Sequence, residues 1–268
     1  MNGQGEVSAD SRRRARAAYR RASDVSSRAL VFVLAVLIAF LAADAAQAMS
    51  VSPTEIEMST VGGKSRAQIG VTNDGDLPLP VELVLNKLTL DEASGRTLSA
   101  AGDEFLVFPP QAMIAPGETQ VFRLQWVGEP DIAASKSYLM SVSQVPVKFK
   151  GARSQVQVVV GLGVVVNVAP PSGTPNLRVV AAGISNDRGG HRHPTITVEN
   201  TGNVHALLSR ATIDVSGHGW STQVPAAIIR ERLGMGLVQP GKRRSFVLPV
   251  AVPDNVAAVG AALTYKLK

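Results

Sequence analysis

The sequence predicts an all-β protein of two sandwich-type domains behind an N-terminal export signal. Three observations predict it. Short runs rich in Val, Ile, Leu and Thr alternate with Gly, Pro and Asn turn signals along most of the chain. Hydrophobic residues make up 45% and aromatics only 4%. The core is therefore expected to be built from Val, Leu, Ile and Ala, a set rich in the β-branched side chains that suit pleated strands. Helical periodicity is confined to Ala226–Leu233, which reads as one short helix.

The first 48 residues are set apart from the fold. Seven arginines (Arg12, Arg13, Arg14, Arg16, Arg20, Arg21 and Arg28) precede a 15-residue apolar run at 29–43, and Ala46-Gln47-Ala48 follows. A basic region, an apolar run shorter than the roughly 20 residues of a membrane span and a small-x-small site form the order of a cleaved secretory signal. The alternative is an uncleaved anchor. Four acids share the segment, so it carries half of the chain's net charge of +6. The basic balance is thus largely a targeting feature. With no basic stripe interleaved with aromatics, nucleic acid is not expected as a partner. Cysteine is absent, which excludes disulfides, thiolate nucleophiles and cysteine metal sites. The remaining 220 residues are enough for a core that needs no staples.

Strands are expected at 51–58, interrupted by Pro53, then at 67–72, 81–90, Phe105–Phe108, 112–114, Thr119–Trp126 and 137–145. Residues 91–103 read as a polar loop and 148–154 as a basic loop. Residues 155–168 form the longest expected strand. A Pro/Gly/Ser linker at 170–175 divides the chain into domains at 49–171 and 172–268. Beyond it, strands are expected at 177–182, 195–199, 206–215, 245–252 and 261–267. Both halves place an Asn near a Gly at a strand end, and a Pro-Gly turn before an apolar strand. This shared pattern hints at two related sandwiches.

The segments GVTNDGDLPLPVEL (70–83), FPPQAMIAPGETQVFRL (108–124), SYLMSVSQVPV (137–147) and QVQVVVGLGVVVNVAPP (155–171) resemble the periplasmic pilus-assembly chaperones of the chaperone–usher pathway, the PapD-like family. VENTGNVHALL (198–208) and LVQPGKRRSFVL (237–248) are similar to that family's second domain. The resemblance implies two immunoglobulin-like β-sandwich domains at an angle. It also implies a periplasmic chaperone that fills the missing strand of a pilus or fimbrial subunit and delivers it to an outer-membrane usher. No stable membrane insertion is then expected after signal cleavage. The other reading is an exported Ig-like binding or surface-structural protein that has lost subunit capture.

The residues bear on that mechanism by themselves. In a strand over 155–168, alternate side chains share a face. Val156, Val158, Val160, Leu162, Val164, Val166 and Val168 line one face. Gln157, Val159, Gly161, Gly163, Val165 and Asn167 line the other. A lent strand needs open backbone groups and alternate apolar side chains. The resemblance implies Val156, Val158, Val160 and Leu162 as the donor-strand residues, while the stretch from Leu162 onward equally suits a strand of the protein's own core. Burying three valines contributes roughly 5–8 kcal/mol before association costs. The resemblance also implies a basic pair that anchors the subunit's C-terminal carboxylate. Here Glu55 or Glu57 and Val165 stand at those positions, leaving Lys64, Arg66, Lys148, Lys150, Arg153 and Arg178 as candidate substitutes.

No catalysis, cofactor or metal is expected. No G-x-S-x-G elbow, phosphate loop or dinucleotide fingerprint is present. His191 and His193 form an H-x-H pair before Pro194 without an evident third ligand. His205 and His218 stand alone in the sequence.

Overall fold

The computed structural model describes residues 49–93, 95–145 and 161–266. These form two all-β lobes. In the first, strand β1 (Ser50–Ser52) precedes β2 (Glu55–Ser59), β3 (Arg66–Thr72), β4 (Leu79–Leu90), β5 (Arg96–Ala100) and β6 (Phe105–Phe108). Strands β7 (Gln111–Ile114), β8 (Thr119–Trp126), β9 (Lys136–Gln144) and β10 (Gly161–Ala169) complete it. One sheet runs β1-β3-β8-β6, the other β2-β10-β9-β4-β5, with β7 also on β4. Pro53 separates β1 from β2, and the two strands belong to opposite sheets. A proline has no N–H for a ladder, so the break falls where the chain changes partners.

Alternation sets the core between the sheets. Phe122, Leu124 and Trp126 of β8 are buried, while Val121 faces out. They meet Tyr138, Met140 and Val142 of β9 and Val164, Val166 and Val168 of β10. The scarce aromatics gather here: Phe105 packs edge-on to Trp126 and Tyr138. The Tyr138 hydroxyl donates to Glu104 Oε2 at 2.6 Å, and Lys136 also pairs with Glu104. The expectation of an aliphatic core is therefore corrected at this end of the lobe.

The second lobe holds β11 (Leu177–Asn186), β12 (Arg192–Asn200), β13 (Ala206–Leu207), β14 (Ala211–Gly217) and β15 (Trp220–Val224). Helix α1 (Ala226–Leu233), β16 (Leu237–Val238), β17 (Arg243–Val247) and β18 (Val259–Tyr265) follow. Its sheets run β11-β12-β17 and β15-β14-β18, with a β13–β16 pair. The core includes Ile196, Val198, Ile213, Val215, Ile229 and Leu248.

Three expectations about elements change. The polar loop at 91–103 contains β5, which pairs with β4. All five of its residues are exposed, so no burial alternation marked it. The run at 206–215 is split by a 3-10 turn at Leu208–Arg210, where Leu207, Leu208 and Ser209 are all buried. Strand β15 was not anticipated, and β17 begins at Arg243, before the expected start.

The repeated pattern in the two halves corresponds to one repeated brace. Asn73 Nδ2 donates to Leu77 O (2.8 Å) and Ile114 O (3.0 Å), and its Oδ1 accepts the Gly75 N–H. Asn200 Nδ2 donates to Val204 O (2.8 Å) and Val238 O (3.1 Å), and its Oδ1 accepts the Gly202 N–H. Backbone carbonyls of Asn73 and Asn200 accept from Gly117 and Gly241, the glycines of the two Pro-Gly turns. Both glycines have φ near +70° (73° and 66°), a region that costs other residues. Each asparagine thus ties a strand end to the Pro-Gly turn of its own lobe. Removing either amide strands buried carbonyls, so Asn73→Ala and Asn200→Ala are each expected to destabilise by about 2–4 kcal/mol. Urea unfolding is the check; a loss below about 1 kcal/mol would contradict the bracing role.

Candidate functional site

Two features of β10 define the site. Its backbone has one edge on β9 from Gly161 to Val168. Its other edge takes β2 in parallel, but only from Val165 to Ala169. Among the described residues, no strand lies beside that second edge at 161–164. Val165 N donates to Thr54 O at 3.2 Å, so Val165 points its N–H toward β2. By the two-residue period of a strand, Gly163 and Gly161 present their backbone to the same, uncovered edge. Both are glycines, and a Cβ on Gly163 would lie 3.1 Å from Leu139 Cδ1. The missing side chain lets Leu139 reach over the strand.

The expected donor residues fall on either side of the described boundary. Val156, Val158 and Val160 lie outside the described residues, as do Lys148, Lys150 and Arg153. Leu162 is half-buried opposite Val142 in the β10–β9 ladder. Val164, Val166 and Val168 are fully buried in the first core.

The opposite face of β10 meets the second lobe. Val165 and Leu139 pack with Leu88, Leu207 and Leu237 in a small apolar plug. Two polar clusters flank it. In one, Gln239 Oε1 accepts Leu90 N–H (2.8 Å) and its Nε2 donates to Leu88 O (2.7 Å). The side-chain amide thereby pairs with β4 as a peptide of another strand would. Nearby, Ser245 N donates to Glu92 O at 2.9 Å.

The other cluster surrounds Glu57. Asn167 Nδ2 donates to Glu57 Oε1 at 2.9 Å, and Asn167 Oδ1 accepts the Ser137 hydroxyl at 2.8 Å. His205 Nε2 lies 3.0 and 2.9 Å from the two carboxylate oxygens. Ser135 Oγ accepts the His205 backbone N–H and stands 3.0 Å from Nδ1. Arg210 lies 3.5 Å from both Glu55 and Glu57. Burial alone would raise the Glu57 carboxyl. The hydrogen bonds from His205 and Asn167, with positive charge at His205 and Arg210, outweigh it and hold the group below its ordinary value.

His205 and Arg210 were not singled out as partners of Glu57 by sequence reasoning. Each is 148 or more residues from the carboxylates it meets, and no local spacing joins them. Of the candidate cations, Lys64 lines a groove beside Glu57 and His205, Arg66 is exposed on β3 opposite Gln125, and Arg178 is engaged by Glu199 (2.7 Å). His191 contacts Asp187 (3.1 Å) and His193 contacts Val250 O (2.9 Å). Among the described residues, no group of three or more His, Cys, Asp or Glu is arranged to hold a metal ion. No helix among them is long and apolar enough to cross a membrane.

A carboxyl held down by folding stabilises the protein above its unfolded value, here near 4.5. That contribution is lost as pH falls through the lower folded value. Glu57→Gln is therefore expected to lose less stability than the wild type between pH 7 and pH 3. Urea midpoints measured across that range test it, and parallel acid limbs would remove Glu57 from the account.

Comparison with protein families matches residues 48–173 to the PapD N-terminal domain, described as a pili and flagellar-assembly chaperone. Comparison with curated proteins finds no match. Among solved structures, the class 5 fimbriae chaperone CfaA is 13% identical and covers 82% of this chain and 100% of its own, with a TM-score of 0.49. The SafB chaperone, solved with the SafA pilin of Salmonella enterica, is 16% identical over 84% of this chain and 99% of its own, TM-score 0.49. The E. coli chaperone DraB is 18% identical over 82% and 97%, TM-score 0.45. At such identities and TM-scores, the family match over the first lobe carries the assignment. Residues 48–173 belong to the PapD N-terminal domain family of pili and flagellar-assembly chaperones.

Proposed function

We propose that this protein is a periplasmic chaperone that holds pilus or fimbrial subunits by lending them a strand, and passes them to an outer-membrane usher. The observation that carries the reading is the backbone edge of β10 at 161–164, beside which no strand lies among the described residues, inside the segment matched to assembly chaperones. Directly before it in the chain come Val156, Val158 and Val160, spaced to enter alternate pockets of a partner sandwich. An apolar open edge is an aggregation hazard unless a partner covers it. Subunit capture supplies that cover.

Residues 1–48 serve as the export signal in this reading, 49–171 as the lending domain and 172–268 as its companion sandwich. The reaction class is binding and release. The first lobe's core begins on β10 at Val164, so Val156 to Leu162 is the portion that lends its free edge, and Gly161 and Leu162 keep their pairing with β9.

Co-expression with a pilus subunit tests the reading. Val158→Asp is expected to reduce the recovered complex by about tenfold or more, because a buried unpaired carboxylate is costly. The thermal midpoint of the free chaperone is expected to stay unchanged. Val164→Ala, within the core, is expected to lower that midpoint instead. Undiminished complex with Val158→Asp sinks strand lending.

A further inference from the structure

The apolar plug between the lobes contains one residue of different chemistry. Leu88, Leu207 and Leu237 form its buried centre, and Leu90, Leu139, Val165 and Met235 pack around them. Met235 carries the cluster's thioether. It is half-buried and also lines a groove of about 750 Å³, whose walls include Thr54 and Glu55 of the first lobe and Arg210 and Arg230 of the second. The side chain therefore has leucines on one side and an open groove on the other.

The backbone holds Met235 in place. It lies between Gly234 and Gly236, both with φ in the left-handed region (73° and 61°). Ser209 N donates to Met235 O at 3.1 Å, and Leu208 N to Gly236 O at 2.9 Å. A Cβ on Gly236 would lie 2.6 Å from Leu208 Cβ, so this close approach needs glycine. Neither chain neighbour has a side chain to shield the sulfur from a small reagent. The turn is tied to Leu208 and Ser209, so a change of polarity at Met235 falls on the plug and is not relieved by the backbone swinging away. The other methionines are placed differently. Met58 and Met140 are 3% and 0% exposed in the first core, while Met113 on β7 is 57% exposed. Met49 is half-buried at the margin of that core.

We propose that Met235 is an oxidation site through which a peroxide loosens the seating of the lobes and weakens capture. The thioether sulfur attacks a peroxide oxygen, and the O–O bond breaks. With hydrogen peroxide, one oxygen atom stays on sulfur as the sulfoxide and the other leaves as water. Sulfur is oxidised by two electrons and the peroxide is reduced by two. The product is polar, and sulfoxide reductases reverse it. Its oxygen is set against Leu88, Leu207 and Leu237, and burying a polar group without a hydrogen bond is costly. Met235 shares the groove with Thr54, whose carbonyl takes the Val165 N–H where β2 begins to occupy the β10 edge. The link to capture rests on the strand-lending reading. The oxidation and its effect on the junction do not.

The test exposes the intact protein to graded hydrogen peroxide, quenches with free methionine and maps added oxygen by peptide mass spectrometry. Met113 and Met235 are expected to gain oxygen well before Met58 and Met140. The thermal midpoint is expected to fall by about 2–6 °C, and methionine sulfoxide reductase is expected to restore it. Met235→Leu is expected to abolish the fall, whereas Met49→Leu with Met113→Leu leaves it. Recovery of complex with a pilus subunit is expected to drop several-fold on oxidation and to return after reduction. An unmodified Met235 in protein whose Met58 or Met140 has reacted overturns the site. An oxidised Met235 with an unchanged midpoint, or a fall that persists in Met235→Leu, overturns its role in the plug. Undiminished capture by protein oxidised at Met235 overturns the switch and leaves strand lending intact. If the untreated protein captures no subunit, strand lending fails, and the mass map and the midpoint still decide the oxidation site.

Discussion

The carboxylate of Glu57 is the point on which the arrangement of the molecule turns. It sits on β2, the strand that closes part of the β10 edge, and it faces the second lobe. A half-buried charge without partners costs several kcal/mol. Here it is met from its own lobe by Asn167 and from the other by His205 and Arg210. Separating the lobes would leave Glu57 without its cationic partners, and would expose Leu207 and Leu237 as well. The polar cluster and the apolar plug therefore enforce the same seating, one by specificity and the other by buried area. Gln239 of the second lobe, bonded to Leu88 and Leu90 of β4, adds a third tie whose two bonds require a single register.

Strand β10 distributes three tasks by residue parity and position. Val164, Val166 and Val168 point into the first core. Val165 and Asn167 point the other way, into the junction. Gly161 and Gly163 carry no side chain, and their backbone faces the uncovered edge. The change from glycine to valine to asparagine on one face follows the change in what covers that face. Gly163 gives room to Leu139, Val165 enters the plug, and Asn167 donates to a carboxylate. A strand serving only a core would not need this gradient. One that also lends an edge must stay anchored where it lends nothing, and the fully buried valines supply the anchorage.

A chain without cysteine holds each sandwich by other means. Each lobe has an asparagine whose amide and carbonyls span a strand end and a Pro-Gly turn, with all the named polar groups satisfied. Such a brace replaces a crosslink with hydrogen bonds that are strong because they are buried. Its recurrence with the same offsets, Asn73 with Gly75 and Leu77, Asn200 with Gly202 and Val204, marks the lobes as two versions of one design.

Much of this was legible in the sequence where the physics is local. The strand expected at Thr119–Trp126 is β8, Pro53 marked a break, and helix α1 fell on the residues its periodicity indicated. The fully exposed β5 escaped because no periodic burial marks it, and the 3-10 turn at Leu208–Arg210 escaped because it carries no Gly or Pro to signal a break. The site was legible by half. The alternating valines announce a lendable strand, but Glu55 or Glu57 stands where the resemblance implies a cation, and an acid there by itself repels a carboxylate. His205 and Arg210 reverse that meaning from the far end of the chain. The sequence by itself determined the alternating strands, the turns and the absence of covalent staples, since these follow from side-chain period and backbone chemistry over a few residues. Only the tertiary structure decided where along β10 no described strand covers its second edge and which groups meet Glu57. Those are contacts between distant residues, set by how two sandwiches pack, and no local pattern encodes them.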